Sequence, residues 1–531
     1  MKILSKDASL EQTISKIENI LKEKNIKITL SKEKNPVKNS YSVNLSFNKA
    51  RKYIFSNGKG SLSQSSIASA YGEFIERLQT KLYFQDYYLN SRKFFKDQKE
   101  FDIKSNFLCD ELKNIYTYEG MQKEDFIDFN SNHFDKIVSL PFVNLNTNKE
   151  VFFPQNILAN LYASNGLSTG NTKEEANVQA LSEIMERYVK LKVIKEGIAL
   201  PNIPENILKS FPKIYEDIKS LQDAGFIVGV YDSSLGGEFP VTAISFINPK
   251  NQTLFLSFGS HPILEVSLER TLTELLQGRE LNELDSFENP TFDMDEISSS
   301  SNLESHFIDS NAKVAIQFLS KKKDYSYSSW DFTGTNNKEQ FEVLKSILDK
   351  KNLTIYLREY DYLGFYSCQM IVPNFSEIYP LEDMIYHNKN QGKFLRKCIL
   401  NKDSYDADEL LDEIYGFDDF VNVGAFIGVI FENDFSLAEF KASLLIKEKE
   451  YEEAIFYLEQ IKKPLNSLLA QILRAKILDY DLDDYKDALI DIYSKELFTK
   501  ALNILEGKED LISIKFASEY EEILNLFETA N

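Results

Sequence analysis

The sequence carries one pattern twice: a Ser-Asn-Gly tripeptide, followed by a helix-forming stretch that ends in Glu-x-x-Glu-Arg. The first copy runs from Ser56-Asn57-Gly58 to Glu73-Phe74-Ile75-Glu76-Arg77, and the second runs from Ser164-Asn165-Gly166 to Glu183-Ile184-Met185-Glu186-Arg187. Residues three apart lie on one face of a helix, so each copy projects two carboxylates in the same direction, with an arginine beside them. The pattern therefore predicts two equivalent helices with matched carboxylate pairs.

Four carboxylates that face one another repel strongly unless cations lie between them. Mg²⁺ is a hard cation that takes oxygen ligands, and proteins usually bind it with one or two carboxylates plus the phosphates of a substrate. One copy alone is typical of a solvated helix face with a local ion pair. The duplication, with similar spacing from loop to Glu, favours a shared site for Mg²⁺ and nucleotide chemistry.

Composition and charge exclude several classes of protein. The chain has 531 residues, and 61 Lys and Arg against 82 Asp and Glu give a net charge of −21. A protein that binds the phosphate backbone of nucleic acid needs a basic face, so we expect no direct nucleic-acid binding. The three cysteines lie far apart without a Cys-x-x-Cys pair, which supports neither disulfides nor a cysteine-zinc site and indicates a reducing compartment.

Signals for secretion and membrane insertion are also missing from the sequence. Residues 1–11 contain charges but no apolar signal segment, and the longest apolar stretch, near 420–431, is too short to cross a bilayer. We therefore predict a cytoplasmic protein that does not associate with membranes.

Apolar spacing predicts three long helices, which follow the two motifs and the dipeptide His261-Pro262. The two motif helices are expected at roughly 64–88 and 172–192, each after a Gly-containing loop, and an earlier helix begins near Ser9. Strand-like segments are predicted at 42–55, 226–231, 241–247, 254–258, 353–360 and 365–372.

The order of these elements indicates the fold class. The turn at 248–251 predicts a hairpin between two of the strands, and the acidic, polar stretch 287–306 is expected to be an exposed loop. Strands and helices mix without regular alternation. We therefore predict an α+β fold, a mixed sheet layered with long helices, rather than a doubly wound sheet.

Beyond about residue 435 the pattern changes to helix alone. Ala442 recurs as Ala475, and Ala454 recurs as Ala488, a shift of 33 or 34 residues that is typical of tetratricopeptide repeats. An ordinary helical bundle also spaces small residues in this way, so both interpretations stay open.

The two patterns predict two domains, one over 1–425 and an all-α, tetratricopeptide-like one over 435–531. Two helix pairs are fewer than a free-standing solenoid usually needs, so the second domain should lean on the first or on another copy of itself. An array with an open end makes a homodimer the expected oligomer.

Further residues were weighed as parts of a site. Lys59 lies between two glycines, but the segment is not a Walker motif because Gly follows the lysine. The helix after His261-Pro262 carries Arg270, Glu274 and Gln277 at spacings of four and three, and either offers a guanidinium to phosphate or forms a surface ion pair. His261 is expected to start this helix rather than to act as a base, and the pattern assigns no catalytic residue.

Taken together, these motifs resemble the YcaO family. The segments that carry the resemblance are Ser-Asn-Gly-Lys-Gly with Glu73 and Glu76, Ser-Asn-Gly-Leu-Ser-Thr-Gly-Asn with the polar stripe 175–187, and His261-Pro262 with 269–279. The resemblance extends from Lys6 to about Phe420. The added helical tail is similar to the stand-alone bacterial type of the family.

The resemblance implies that ATP binds between the two motif helices, with Mg²⁺ bridging its phosphates to carboxylates. The metal-side residues implied are Glu73, Glu76, Glu183 and Glu186. The residues implied to line the nucleotide are Lys6, Thr13, Ser69, Ser168, Asn171, Glu175, Gln179, Arg187 and Arg270. A hydroxyl residue, Thr13, stands where a relative has Ser, which keeps the hydrogen-bonding group.

The resemblance also implies a function. Active family members use ATP to phosphorylate the oxygen of a backbone amide after a nucleophile adds to its carbonyl. The stand-alone type is associated with β-methylthiolation of a small-subunit ribosomal protein, as an accessory to a radical methylthiotransferase. This chain has no cysteine cluster for an iron-sulfur centre, so it would assist that chemistry only.

Two alternatives accompany this interpretation. One is ATP-dependent activation of backbone amides, of cyclodehydratase or thioamide type, in an unknown peptide. The residues 526–531 lack the proline-rich tail that cyclodehydratase members share, which argues against azoline synthesis. The other alternative is a non-catalytic scaffold that binds a partner through its helical tail.

Overall fold

The structure, a computed structural model, describes residues 3–284, 287–308 and 312–531. Within these ranges the strands are β1 Ile28–Leu30, β2 Lys34–Val37, β3 Ser40–Phe47, β4 Phe55–Gly60, β5 Lys99–Asp102, β6 Lys136–Asn144, β7 Glu150–Pro154, β8 Leu167–Gly170, β9 Ile227–Asp232, β10 Val241–Asn248, β11 Thr253–Ser260, β12 Tyr356–Tyr360 and β13 Tyr366–Ile371.

Helices connect and cover these strands. In chain order they are α1 Leu10–Glu23, α2 Ser63–Gln79, α3 Asp110–Ile115, α4 Gln155–Ile157, α5 Lys173–Glu196, α6 Glu205–Leu208, α7 Pro212–Asp223, α8 Leu264–Leu276, α9 Met294–Ile297, α10 Ser300–Ile308, α11 Asn337–Lys350, α12 Asp383–Tyr386, α13 Gln391–Leu400, α14 Ala407–Ile414, α15 Val423–Ile427, α16 Leu437–Glu448, α17 Tyr451–Gln460, α18 Pro464–Ile477, α19 Lys486–Tyr493, α20 Lys495–Leu505 and α21 Ser518–Thr529.

The strands form three antiparallel sheets. In the first sheet β3 pairs with β1, β2 and β4; the second has the order β5-β6-β12-β13-β8, with β7 also paired to β6; and the third has the order β11-β10-β9. The predicted hairpin is present, because β10 and β11 pair from Val241 opposite Ser260 to Asn248 opposite Thr253. The mixed arrangement of sheets and helices confirms the predicted α+β class.

Three helices alternate with the three sheets. Helix α2 packs between β4 of the first sheet and β8 of the second, α5 packs between β8 and β13 of the second and β11 of the third, and α8 packs between β11 of the third and β3 and β4 of the first. Each of these helices follows directly on a strand that it packs against: β4 leads to α2, β8 to α5 and β11 to α8. The three strand–turn–helix units therefore surround a common centre.

Glycine permits two of these units to pack closely. A Cβ on Gly58 would lie 1.9 Å from the backbone oxygen of Ser66 in α2, and a Cβ on Gly259 would lie 2.7 Å from the backbone oxygen of Ser267 in α8. In each unit the glycine precedes its contact by the same number of residues. The strand backbone can therefore approach the helix only where no side chain intervenes.

Several predicted boundaries were wrong. The predicted strand 42–55 is two strands, β3 and β4, joined by a turn at 48–54, and the first motif tripeptide lies within β4 rather than in a loop. Helix α2 ends at Gln79, well before residue 88, because Lys81 adopts a left-handed backbone conformation with φ 62°. Asn and Gly are poor strand formers, so this strand depends on its packing against α2.

The stretch 287–306 is also different from its prediction. It contains α9 and most of α10, and both helices pack against α5 instead of forming an exposed loop. Ile297 is fully buried and His306 is 3% exposed. The few buried residues of this acidic segment are thus enough to hold the segment against α5.

The C-terminal part is helical, as predicted. Apolar residues of α16, α17, α18 and α20 form a hydrophobic cluster of their own, whereas Phe527 and Tyr520 of α21 belong to the large cluster that also contains Phe74 of α2. The last helix thus returns to the part of the molecule that bears the motifs. No helix in the described part of the chain is long and apolar enough to cross a membrane.

The glycine in β4 gives the first test. We expect Gly58→Ala to destabilise the protein by about 2–3 kcal/mol, because the new methyl group would overlap backbone atoms of α2 that cannot move independently. Gly416→Ala is the matched control, since a Cβ there meets nothing within 4 Å. Urea unfolding followed by circular dichroism measures both. Equal midpoints for the two variants would contradict close packing between β4 and α2.

Candidate functional site

Equivalent positions on α2, α5 and α8 carry the polar residues of the candidate site. Glu73, Glu183 and Glu274 each stand ten residues after the first residue of their helix. One turn earlier, Ser69, Gln179 and Arg270 each stand six residues after it. Because the three helices surround a common centre, these matched positions point the polar side chains toward one cleft.

The first carboxylate of each motif is held by the arginine four residues later. Glu183 Oε1 lies 2.8 Å from a guanidinium nitrogen of Arg187, and Glu73 forms the corresponding ion pair with Arg77. The other carboxylate oxygen of Glu73 accepts a hydrogen bond of 2.9 Å from the backbone N–H of Asn57. The motif thus connects its tripeptide to its first Glu.

The negative charge of the second carboxylate in each motif is less well balanced by neighbouring positive charges. Glu76 forms no ion pair with any described residue, and burial together with the nearby charges of Glu183 and Glu73 raises its pKa to about 8. Burial also raises the pKa of Glu186, an effect that Lys59 opposes and Glu183 strengthens. Since Glu183 acts on the carboxyls of α2, the two motifs belong to one electrostatic cluster, as the sequence predicted.

Two lysines that the sequence did not assign to the site lie within this cluster. Lys59, in β4, forms an ion pair with Glu274 of α8, and burial lowers its pKa against the opposing influence of Glu186 and Glu73. Lys190, one turn after Glu186, has its pKa lowered to about 8 by burial and donates a hydrogen bond to the backbone oxygen of His306. The sequence could have indicated both lysines, because Lys59 directly follows the first motif tripeptide and Lys190 lies one helical turn after Glu186.

The predicted nucleotide-lining residues near the start of α5 also come together. Lys6 Nζ lies 3.2 Å from Oε1 of Glu175, and the backbone N–H of Asp7 donates a hydrogen bond of 2.9 Å to Oε2 of the same residue. Asn171 donates to Glu175 and accepts a hydrogen bond of 2.8 Å from the hydroxyl of Thr13. These contacts fasten the N-terminal segment and α1 to the start of α5.

Arg270 joins α8 to α5 across the cleft. Its guanidinium donates to Oε1 of Gln179 and, over 2.9 Å, to the backbone oxygen of Ser260 at the end of β11. Burial lowers its pKa, while Glu186 among the nearby carboxylates opposes that effect. Of the two interpretations of Arg270 and Glu274 on α8, the surface ion pair between them is wrong, because each is paired with another element.

Unsatisfied polar atoms test whether the cleft suits a nucleotide. The hydroxyls of Ser168, in β8, and Ser260, in β11, are buried and have no hydrogen-bond partner among the described residues. A buried hydroxyl without a partner costs free energy that a polar ligand would recover. Together with the carboxyl of Glu76, which forms no ion pair with any described residue, they fit a ligand that supplies hydrogen-bonding groups and cations.

The metal ligands remain a prediction. Across residues 3–284, 287–308 and 312–531, no group of three or more His, Cys, Asp or Glu side chains is arranged to hold a metal ion by itself. Ser69 lies half-buried one turn before Glu73 on α2, and Arg187 is engaged with Glu183.

The raised pKa of Glu76 predicts a change of stability with pH. Between its ordinary pKa of 4.5 and about 8, the carboxyl is ionised in the unfolded chain but protonated in the folded one, so rising pH favours unfolding. We expect Glu76→Gln to raise the melting temperature of the ligand-free protein by roughly 4 °C near pH 8 and by much less near pH 5.

The control for this measurement is Glu196→Gln, on the same helix as the second motif but exposed to solvent. Thermal unfolding with a chelator present, across this pH range, compares both variants with the parent protein. A gain from Glu76→Gln that is the same at both ends of the range would mean that Glu76 is not held protonated by its surroundings.

Comparisons with known proteins show which family the chain belongs to. Residues 57–376 match the family described as YcaO cyclodehydratase, ATP- and Mg²⁺-binding. The chain is 39% identical over 484 residues, 86% of this chain and 82% of the relative, to the ribosomal protein S12 methylthiotransferase accessory factor YcaO of Escherichia coli strain K12. It is also 39% identical over 479 residues, 85% of this chain and 81% of the relative, to an uncharacterised protein of Haemophilus influenzae.

A solved structure shares the fold. A heterocyclase in complex with substrate and cofactor aligns with a TM-score of 0.51 and 16% identity, over 72% of this chain and 56% of that chain. The segment 57–376, which matches the family, contains both Glu-x-x-Glu-Arg motifs and the helix of Arg270. A family match over more than half of the chain, with 39% identity across most of both sequences, shows that the chain belongs to the YcaO family, whose ligands are ATP and Mg²⁺.

Proposed function

We propose that the chain binds Mg²⁺-ATP in the cleft between α2, α5 and α8 and uses it to promote the modification of a protein substrate. The single observation that carries this proposal is the convergence of the two motif carboxylate pairs on one electrostatic cluster, in which burial and the charges of Glu183 and Glu73 raise the pKa of Glu76. Such a cluster has no structural benefit by itself, because buried like charges destabilise a fold.

In this proposal Glu73, Glu76, Glu183 and Glu186 hold Mg²⁺, and the bound nucleotide supplies a phosphoryl group for transfer. Arg77 and Arg187 keep the first carboxylate of each motif in one orientation.

In the same proposal the predicted lining residues surround the nucleotide: Lys6, Thr13, Ser69, Ser168, Asn171, Glu175, Gln179, Arg187 and Arg270. The ion pair of Lys6 with Glu175 and the hydrogen bonds of Thr13 with Asn171 and of Arg270 with Gln179 hold these six side chains in place before a nucleotide arrives. A preorganised charged site stabilises a transferring phosphoryl group without further rearrangement.

The protein substrate is proposed to be a small-subunit ribosomal protein, with this chain acting beside a radical methylthiotransferase. The Escherichia coli relative is named as an accessory factor for methylthiotransfer to ribosomal protein S12, and the match covers most of both chains. The chain has three cysteines without a cluster pattern, so the methylthio chemistry itself would belong to the partner enzyme.

Nucleotide binding tests the first part of the proposal. We expect isothermal titration of the full chain with ATP and Mg²⁺ to show binding, and Glu183→Ala to weaken it by about tenfold or more, since one carboxylate of the metal side is lost. Glu196→Ala is the matched control, because this exposed residue lies on the same helix outside the cleft. No heat of binding in the parent protein would refute the proposal.

The modification itself tests the second part. In cells that lack the gene for this chain, we expect β-methylthiolation of the ribosomal protein to fall, as measured by mass spectrometry of the intact protein. Re-expression of the parent chain should restore it and Glu183→Ala should not, because the metal side of the cleft is needed. Full modification without the chain would remove the ribosomal protein as its substrate.

A second candidate function has support of its own. The family description names a cyclodehydratase, which favours activation of a backbone amide by phosphorylation of its oxygen in an unknown peptide. This function predicts that ADP or AMP release by the purified chain rises when peptides from the cell's own extract are added. Release that never responds to such peptides would leave the accessory role as the better account.

A further inference from the structure

His261 lies next to the cleft but has no role in the function proposed above. It follows directly on β11, is fully buried, and its Nδ1 accepts a hydrogen bond of 3.0 Å from the backbone N–H of Ile263. A ring nitrogen that accepts a backbone N–H carries a lone pair, so the hydrogen of the neutral imidazole is on Nε2. The sequence predicted that His261 starts the third helix, but α8 begins at Leu264 after the N-cap residue Ile263, so His261 lies just before the helix.

The other ring nitrogen, Nε2, is unsatisfied within the described part of the chain. Nε2 of His261 has no hydrogen-bond partner among the described residues, although the side chain is completely buried. A second unsatisfied group is adjacent, because the hydroxyl of Ser260 is also buried without a partner. Leaving a buried N–H donor unpaired is costly, so such a donor indicates a missing acceptor.

The surroundings of His261 keep the ring neutral. Burial lowers its pKa well below the usual range, and the positive charges of Arg270 and Lys6 add to this effect. The ring therefore remains a hydrogen-bond donor through Nε2 at neutral pH and does not become a cation. Both neighbouring cations are among the residues predicted to line the nucleotide.

The position of His261 along the cleft indicates which part of the ligand it meets. Its neighbour Lys6 is paired with Glu175, while the carboxylates of the metal side begin at Glu183, eight residues and about 12 Å further along α5. Arg270, the other neighbour, binds Gln179, which lies one turn from Glu175 and one turn from Glu183. His261 thus lies nearer to the start of α5 than to the metal-side carboxylates of that helix.

We propose that His261 is a further nucleotide-binding residue, and that its Nε2–H donates a hydrogen bond to an acceptor in the nucleoside half of ATP, a ring nitrogen or a ribose oxygen. This proposal rests on the proposed function, which places the phosphates at the metal-side carboxylates. The nucleoside half is then the part of the ligand that reaches the opposite end of α5.

Two substitutions separate the roles of the two ring nitrogens. In His261→Asn the amide oxygen can still accept from Ile263, but the donor at the position of Nε2 is lost. In His261→Gln the amide nitrogen comes close to that position. We expect His261→Asn to weaken ATP binding about three- to tenfold in isothermal titration with Mg²⁺, and His261→Gln to remain nearer to the parent protein.

The full chain itself provides a second measurement that needs no variant. With ¹⁵N-labelled histidine, the chain has only four imidazoles, and His133 beside Glu100 serves as an internal reference. Mg²⁺-ATP should shift the Nε2–H resonance of His261, whereas Mg²⁺ with inorganic tripolyphosphate, which lacks a nucleoside, should leave it in place.

Three results would overturn the inference. They are equal ATP affinity in His261→Asn and the parent protein, no shift of the His261 resonance with saturating ATP, and an equal shift with tripolyphosphate. If the parent protein binds no ATP at all, the proposed function fails and the inference fails with it. A parent protein that binds ATP while His261→Asn binds it equally well refutes the inference alone.

Discussion

The structure depends on bringing four carboxylates together inside a folded chain. Buried like charges destabilise a protein unless cations or protons compensate them, and this chain uses both devices. Arg77 and Arg187 pair with one Glu of each motif, whereas burial and the neighbouring carboxylates raise the pKa of Glu76. In the ligand-free site, arginines and a bound proton thus compensate charges that a bound cation could compensate in their place.

The three-fold arrangement of strands and helices explains why so many predicted residues share one cleft. Helices α2, α5 and α8 each follow a strand and pack between two sheets, so equal positions in the three helices face the same centre. Ser69, Gln179 and Arg270 occupy one such position. The third helix has Glu274 at the place of the first motif Glu, where it forms an ion pair with Lys59.

Much of this arrangement was accessible from the sequence. The doubled motif predicted two equivalent helices, and two strand-like segments on either side of the turn at 248–251 predicted the hairpin of β10 and β11. Strand β4 was missed because Ser-Asn-Gly-Lys-Gly has weak strand propensity and becomes a strand only by packing on α2. Helices α9 and α10 were missed because their few buried residues are diluted by acidic ones.

The details of the site were less accessible, because they depend on contacts between residues far apart in the chain. The pairing of Lys59 with Glu274 joins β4 to α8, and that of Lys6 with Glu175 joins the N-terminal segment to α5. The unpaired Nε2 of His261 can be recognised only when every neighbour of the ring is known. The motif residues were predictable because they are local in sequence, whereas these partners are not.

A crystal structure with a non-hydrolysable ATP analogue and Mn²⁺ in place of Mg²⁺ would test the central claim most directly. Anomalous density locates the metal independently of the nucleotide. The account predicts metal density between α2 and α5, within about 2–2.5 Å of carboxylate oxygens from both motifs, with the phosphates beside it. Metal bound away from both motifs, or a nucleotide outside the cleft, would contradict the account.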